Sequence, residues 1–326
     1  MNRRNILKSG IALAGASGLK LPHFVAEPNR GSFALDGNIM RFYHPAIKER
    51  FNITMLADTH LFKDDERGIP FQQFSGRMAK AYNQTKHFQT GDSTNPEECF
   101  HKTLEIAQQG DTKLLAMIGD IFSFPSEAAI EWVAAEVRQS KLPYLYVAGN
   151  HDWHYEGMEG SSHSLRDTWT NKRLKAIYQN DHPLMTVREI SGVRFLALDN
   201  STYQITPEQL AFFRKEVATQ KPIVLMVHIP LYAPERSLGF GCGHPNWNAQ
   251  NDKNHQLERR EQWPNSGHTQ TTLQFHKEVF SAPTLLGILA GHTHKPTLDV
   301  VNGIPQVVTP PNAMGGFLKV ELVPYS

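Results

Sequence analysis

Cysteine is nearly missing from this chain: there are two among 326 residues. That excludes a disulfide framework and a thiolate metal cluster. An excess of one charge sign is missing too. Lys and Arg number 33 against 32 Asp and Glu, a formal charge of +1, so no global field selects a nucleic-acid polymer or an anionic membrane. No apolar stretch is long enough for a stable membrane span, and no internal repeat or low-complexity tract interrupts the chain. What remains, 40% apolar and 20% charged residues, is a globular composition whose length suits one large α/β domain. Histidine alone is abundant, with 16 residues, and its placement matters more than its number.

The first residues read as an address. Asn2-Arg3-Arg4-Asn5-Ile6-Leu7-Lys8 precedes a short apolar stretch from Ile11 to Leu19, with small-residue cleavage patterns at Ala12-Leu13-Ala14 and Ala14-Gly15-Ala16. This order of basic, apolar and small-residue regions resembles the bacterial twin-arginine export signal. The resemblance implies a periplasmic or secreted protein that leaves the cytoplasm folded, often with metal loaded. Residues 1–30 are therefore expected to be export signal and linker, and 31–326 a single domain. A cytosolic protein with a basic N-terminus and a membrane-tethered protein with an uncleaved leader are the alternatives.

Five short apolar runs each stop where polar side chains begin. Phe51 to Ala57 leads into Asp58-Thr59-His60, and Lys113 to Ile118 into Gly119-Asp120. Tyr144 to Ala148 leads into Gly149-Asn150-His151-Asp152, Ile223 to Val227 into His228, and Leu285 to Ala290 into Gly291-His292-Thr293-His294. Such runs suit strands buried on both faces, and polar residues just past their ends suit a site at one edge of an α/β sheet. Val193–Leu198, Thr297–Val301 and Gln306–Thr309 read as further strands. Asn95-Pro96-Glu97-Glu98 is a helix start, and that helix is expected to stop at Gly110. Thr206-Pro207-Glu208-Gln209 repeats the pattern, and Ala128 to Gln139 reads as an amphipathic helix. Two polar stretches, near 61–94 and 232–274, read as insertions that overhang the site and set substrate choice, with a passive surface excursion as the alternative.

Each motif alone has a bland reading: Asp58, Asp120 and Asn150 as turn residues, His228 as a core histidine. Together, and in this order, they resemble the calcineurin-like metallophosphoesterase superfamily, whose pattern of Asp-x-His, Gly-Asp, Gly-Asn-His-Asp, a strand-ending His and Gly-His-x-His is complete from Asp58 to His294. The chemistry gives the pattern a purpose. Phosphate esters repel a hydroxide nucleophile, and two cations roughly 3.5–4 Å apart offset that charge while lowering the pKa of a water between them. Imidazole, carboxylate and amide ligands suit Mn, Fe, Zn or a mixed pair.

The resemblance implies that Asp58, His60 and His294 hold one metal, that Asn150, His228 and His292 hold the other, and that Asp120 bridges them. It also implies catalytic roles for two residues. His151 would contact the phosphoryl group and protonate the leaving alkoxide, and Asp152 would orient His151 and keep it protonated. Gly119, Gly149 and Gly291 are expected to permit the turns that aim these ligands. The implied fold is a four-layer α/β/β/α sandwich of two mixed sheets.

Departures narrow the family. The first motif carries His60 where the purple acid phosphatase branch has glycine, and Ile121-Phe122-Ser123 offers no tyrosine, which argues against a ferric tyrosinate centre. No arginine clamp of the phosphoprotein-phosphatase kind follows Asp120. The expected activity is hydrolysis of small phosphodiesters or nucleotides; a secreted phosphomonoesterase and a non-catalytic metal-containing binding module are the alternatives. His154, His163, His244, His255 and His268 read as surface histidines, with substrate contact as the alternative. Trp153 and Trp247 read as packing or as pocket walls. A Cys99–Cys242 disulfide is allowed but not indicated, and Asp64-Asp65-Glu66 reads as a solvated acidic cluster. Oligomeric state is left open.

Overall fold

The computed structural model describes residues 31–325; the expected export segment, residues 1–30, lies outside them. The apolar runs become buried strands of two sheets, inner ones except β7, which closes an edge of the first. The first runs in the order β1 (Ser32–Asp36), β2 (Ile39–His44), β14 (Leu318–Pro324), β3 (Phe51–Leu56), β6 (Leu115–Ile118) and β7 (Tyr144–Val147). The second runs β12 (Thr297–Val301), β13 (Ile304–Val308), β11 (Leu285–Ala290), β10 (Ile223–Met226), β9 (Val193–Leu198) and β8 (Met185–Ile190). Both sheets are mixed. In the first, β3, β6 and β7 are parallel and β14 opposes β3. In the second, β9, β10, β11 and β13 are parallel, with β8 and β12 antiparallel at the edges.

Alternate side chains of a strand face opposite ways, and here both directions are buried. Leu115 and Met117 of β6 and Tyr144 and Tyr146 of β7 pack with Phe100 and Leu104 of α3 (Pro96–Gln109) and Val133 and Val137 of α4 (Glu127–Ser140). The intervening Ala116, Ile118, Leu145 and Val147 pack against Phe195, Ala197, Val224 and Met226 of the other sheet. Beyond it, Leu196, Leu198, Ile223 and Leu225 meet Leu210 and Phe213 of α6 (Pro207–Ala218) and Phe275 and Val279 of α7 (Gln270–Val279). Three apolar cores thus separate four layers, α/β/β/α, the expected sandwich. Strands with no polar face must be apolar throughout, which is why the runs are continuous.

Local signals set the helices. Asn95 caps α3 by accepting from the Glu98 amide, Pro96 opens it and Gly110 closes it. Thr206 and Gln209 form a reciprocal capping box on α6. The second insertion is shorter than expected, because Thr269 caps α7 and the helix begins at Gln270. The first insertion carries two single-turn helices, α1 (Gln72–Ser75) and α2 (Met78–Ala81), and a small hairpin of β4 (Thr85–Lys86) and β5 (Ser93–Thr94). Helix α5 (Ser162–Lys172) follows the β7 motif. Strands β1, β2, β4, β5, β8 and β14 and helices α1, α2, α5 and α7 were not expected. No helix among the described residues is long and apolar enough to cross a membrane.

Candidate metal centre

Because β3, β6 and β7 are parallel in one sheet, and β10 and β11 in the other, the polar residues after them gather at one edge of the sandwich. Two groups form there, Asp58 with His60 and His294, and Asp120 with His228 and His292; within each, the candidate ligand atoms lie within 4.8 Å of one another. His294 Nε2 is 3.3 Å from Asp58 Oδ1 and 3.0 Å from His60 Nε2. Asp120 Oδ2 is 3.1 Å from His228 Nε2 and 4.0 Å from His60 Nε2. It therefore stands between the two groups, where a bridging carboxylate would belong.

The donor set fits two ions. Asn150 Oδ1 and His228 Nε2 are buried without a hydrogen-bond partner. His228 Nε2 stands 3.1 Å from Asp120 Oδ2, so one ion could take both. His228 Nδ1 lies 2.9 Å from the Ile118 carbonyl. A carbonyl only accepts, so Nδ1 carries a proton and Nε2 is the ring atom turned toward Asp120 and left for an ion, the arrangement that orients a ligating imidazole. The Tyr203 hydroxyl lies 3.0 Å from His292 Nε2, which leaves Nδ1 of that ring for an ion.

The ligand-bearing turns are strained. Asp58 (φ 57°), His60 (49°), Asp120 (51°), His292 (71°) and His294 (54°) all occupy the left-handed region, which non-glycine residues enter at a cost and keep mainly at functional sites. Cross-turn bonds hold them: Asp58 N donates to Gly119 O at 3.0 Å, His60 N to Asp120 O at 2.9 Å, and His292 N to the Asp58 carboxylate at 2.9 and 3.0 Å. Of the three expected turn glycines only Gly119 (φ 77°) needs the left-handed region, and a Cβ there would come 2.4 Å from His228 Nδ1. Gly291 is needed for space instead, since its Cβ would meet Asp58 Oδ2 at 2.6 Å.

Burial disfavours charge on His60, His228, His292 and His294. It holds His60 well below the ordinary value and, reinforced by His228, brings His292 to about 3. At His228 Asp120 overrides burial and lifts the pKa to about 10, and at His294 Asp58 overrides it in the same direction. Burial opposes charge on Asp120 as well, but His228 and His151 hold its carboxyl well below the usual range. His60 and His292 are thus already in the neutral form a metal needs.

The expected pairing of Asp152 with His151 is not made. Asp152 is fully buried, and its oxygens accept from Phe122 N and Gly149 N, each at 2.8 Å. Neighbours on a tight turn point in different directions, and this carboxylate ties the Asp120 and Asn150 turns together. Burial and then Asp120 push its pKa up to about 7, against the pull of the two amides. His151 does reach the site: its backbone N–H donates to Asp120 Oδ1 at 2.8 Å, and its ring meets that of His60 edge-on at 5.1 Å. Its Nδ1 is buried without a partner.

A cleft of about 660 Å³ opens over both groups. The first insertion contributes Arg77 and Tyr82 to it, and the second Arg236, Phe240 and Glu258. Tyr82, which sequence reasoning missed, stacks on His60 with ring centroids 4.2 Å apart. Tyr203 was missed as well; neither lies in a ligand motif. Three of the histidines read as superficial, His154, His244 and His268, are buried. Cys99 and Cys242 are buried and free, bonding instead to the carbonyls of Ala313 and Tyr203. Asp65 is solvated as expected, and pairs with Arg67 at 2.6 Å.

Residues 51–296 match the calcineurin-like phosphoesterase family. A probable cyclic nucleotide phosphodiesterase of Moraxella catarrhalis (strain BBH18) is 29% identical over 106 residues, 32% of this chain, and the match spans only 29% of that protein. A dimetal phosphatase from Danio rerio has a similar fold, with a TM-score of 0.51 at 12% identity over 82% of this chain and 91% of its own. A purple acid phosphatase of yellow lupin (Lupinus luteus) gives a TM-score of 0.48 at 15% identity, covering 85% of this chain and 46% of its own.

Proposed function

The chain belongs to the calcineurin-like phosphoesterase family, and from that premise we propose that it hydrolyses small phosphodiesters or nucleotides at a dinuclear centre held by Asp58, His60, Asp120, Asn150, His228, His292 and His294. The observation that carries the proposal is the position of Asp120 Oδ2 between the two ligand groups. Bound ions, drawn from Mn, Fe and Zn, would supply Lewis-acid charge and an activated water. Around them the protein's own groups divide the work. Asp58 and Asp120 bring the negative charge that holds two cations close together. His228 and His292 are locked in orientation by Ile118 O and Tyr203. His151, beside them, delivers a proton from its imidazole to the departing oxygen.

The cleft's charge favours a diester over a monoester. Arg77 and Arg236 reach it but are already tied to Glu156 and Asp299, Glu258 is tied to Arg260, and Lys295 and Glu235 add charges of opposite sign to the same wall. Little cationic charge is left for the second negative charge of a monoester. Purified, Mn-loaded protein is expected to turn over bis-p-nitrophenyl phosphate with a higher kcat/KM than p-nitrophenyl phosphate, with two metal equivalents bound. The reverse order would favour the monoesterase, and no hydrolysis of either would overturn the proposal. The Arg3-Arg4 leader supports export to the periplasm or beyond; intact-mass measurement on exported protein tests it by reading where the chain begins.

A further inference from the structure

Two of the proposed ligand histidines are oriented by a bond at the ring nitrogen turned away from the ions. His228 Nδ1 meets the Ile118 carbonyl at 2.9 Å, and His292 Nε2 meets the Tyr203 hydroxyl at 3.0 Å. His60 differs. Its Nε2 faces the site, 3.0 Å from His294 Nε2 and 4.0 Å from Asp120 Oδ2, but its Nδ1 is buried without a hydrogen-bond partner. A ligating histidine almost always donates its other ring N–H to an acceptor, which fixes the angle of the ring. An imidazole that lacks that bond and is 1% exposed must take its angle from packing.

The packing is aromatic. Tyr82 lies flat on His60, with ring centroids 4.2 Å apart and planes 12° from parallel, and it meets His294 edge-on at 5.6 Å. One side chain thus touches two of the three proposed ligands of one ion. Stacked and edge-on pairs are favoured arrangements of aromatic rings, and a tilt of His60 would break the stack. Tyr82 is itself held in place. It directly follows α2, whose Met78 is buried in the core and whose preceding residue, Arg77, pairs with the buried Glu156. On its other side Thr85 Oγ1 donates to the Ala313 carbonyl at 2.5 Å, and Ala313 N donates to Asp58 O at 3.0 Å. The segment that carries Tyr82 is therefore bonded, through Ala313, to the turn that carries Asp58 and His60.

We infer that Tyr82 is a positioning residue for the metal centre: its ring does for His60 what a hydrogen bond does for His228 and His292, so that the first insertion governs retention of the ion held by Asp58, His60 and His294. The inference rests on the dinuclear reading above and gives that insertion a task beyond overhanging the cleft.

Mn binding to the metal-free chain, measured by competition with a chelating dye, reads this role without any hydrolysis. Wild-type protein is expected to bind two ions. Tyr82→Phe keeps the ring and should leave both affinities unchanged. Tyr82→Leu fills much of the same space without a flat face. It is expected to raise the Kd of one of the two ions by about tenfold, as loss of a ligand-orienting partner does. In a His60→Ala background the ring has no imidazole to hold, so Tyr82→Leu should cost no further affinity. Equal Kd values in wild type and Tyr82→Leu would overturn the inference. So would a loss in Tyr82→Phe as large as in Tyr82→Leu, or an undiminished further loss in the His60→Ala background, which would mean that Tyr82 acts by supporting the fold and not through His60. Wild-type protein that binds fewer than two ions would sink the dinuclear centre itself and the role of Tyr82 with it, an outcome distinct from a failure confined to the Tyr82 variants.

Discussion

His151 and Asp152 are adjacent in sequence and yet differ in role: Asp152 holds the backbone, while His151 is proposed to act on the substrate. The difference can be measured. Replacing His151 with Ala removes a proton donor but no contact that holds the turn, since its structural bond to Asp120 is through the backbone amide. The variant is expected to keep its metals and its Tm while kcat falls by about 10²–10⁴. Asp152→Asn keeps the shape but turns an N–H toward one of two backbone N–H groups, leaving a buried donor unpaired at a cost of about 1–3 kcal/mol. Its expected signature is a lowered Tm and reduced metal content. A His151→Ala enzyme depleted of metal, or an Asp152→Asn enzyme as stable as wild type, would show that these roles are misassigned. Gly119→Ala tests the strain of the turns. Its Cβ would strike His228 and its φ of 77° disfavours alanine, together about 1–3 kcal/mol. The expected loss falls on the ion held by Asn150, His228 and His292, with the other ion retained, as read by metal analysis.

Elements differ in how much of themselves the sequence displays. The motif-bearing strands were legible because their residues are apolar on both faces, and Leu285–Ala290 and Val193–Leu198 begin and end where expected. Strand β8 (MTVREI) was not, because as an edge strand it is only half-buried and its pattern is diluted. Nor was β14, which the chain adds last and yet inserts between β2 and β3; its place depends on partners some 270 residues upstream. The seven proposed ligands could be picked out by motif, while the side-chain directions of Asp152, Tyr82 and Tyr203 are set by tertiary packing and leave no local trace. The second insertion shows the same limit: its histidines read as polar surface, but His268 accepts from Gly243 N at 3.0 Å and stacks on Trp247. Burial lowers its pKa to about 4, against roughly 6.5 in an unfolded chain. Between those values the unfolded state binds more protons. The stability His268 lends is therefore complete above about pH 6.5 and declines as pH falls through this window. His268→Gln is expected to flatten that decline, seen as a smaller drop in urea midpoint between pH 7.5 and pH 5 than in wild type. An equal drop in both proteins would assign the acid sensitivity elsewhere.

At the scale of the whole molecule, the metal centre sits where two sheets meet, and it draws ligands from both. Asp58, Asp120 and Asn150 follow strands of the first sheet, while His228, His292 and His294 follow strands of the second. Each proposed ion therefore spans the seam, one through Asp58, His60 and His294, the other through Asn150, His228 and His292 with Asp120. Behind the seam the sheets are joined by an apolar core that includes Phe42, Met55, Ile118, Phe195, Val224 and Leu289. Ions bound only by the folded state stabilise it by mass action, about 2.7 kcal/mol at a hundred times Kd and more for tighter sites. Their loss would also leave the buried carboxylates of Asp58 and Asp120 with the His294 and His228 imidazoles as partners in place of divalent charge. Chelation is thus expected to abolish hydrolysis and to lower Tm by several degrees, with both restored by Mn. Because the proposed ions would bridge the two sheets, the loosening should appear along the seam. Hydrogen exchange at the ends of β3, β6, β10 and β11 should rise before exchange in α3 and α7, on the outer layers. Chelated protein that keeps its Tm and its exchange pattern would show that the two sheets need no ion to hold this edge together.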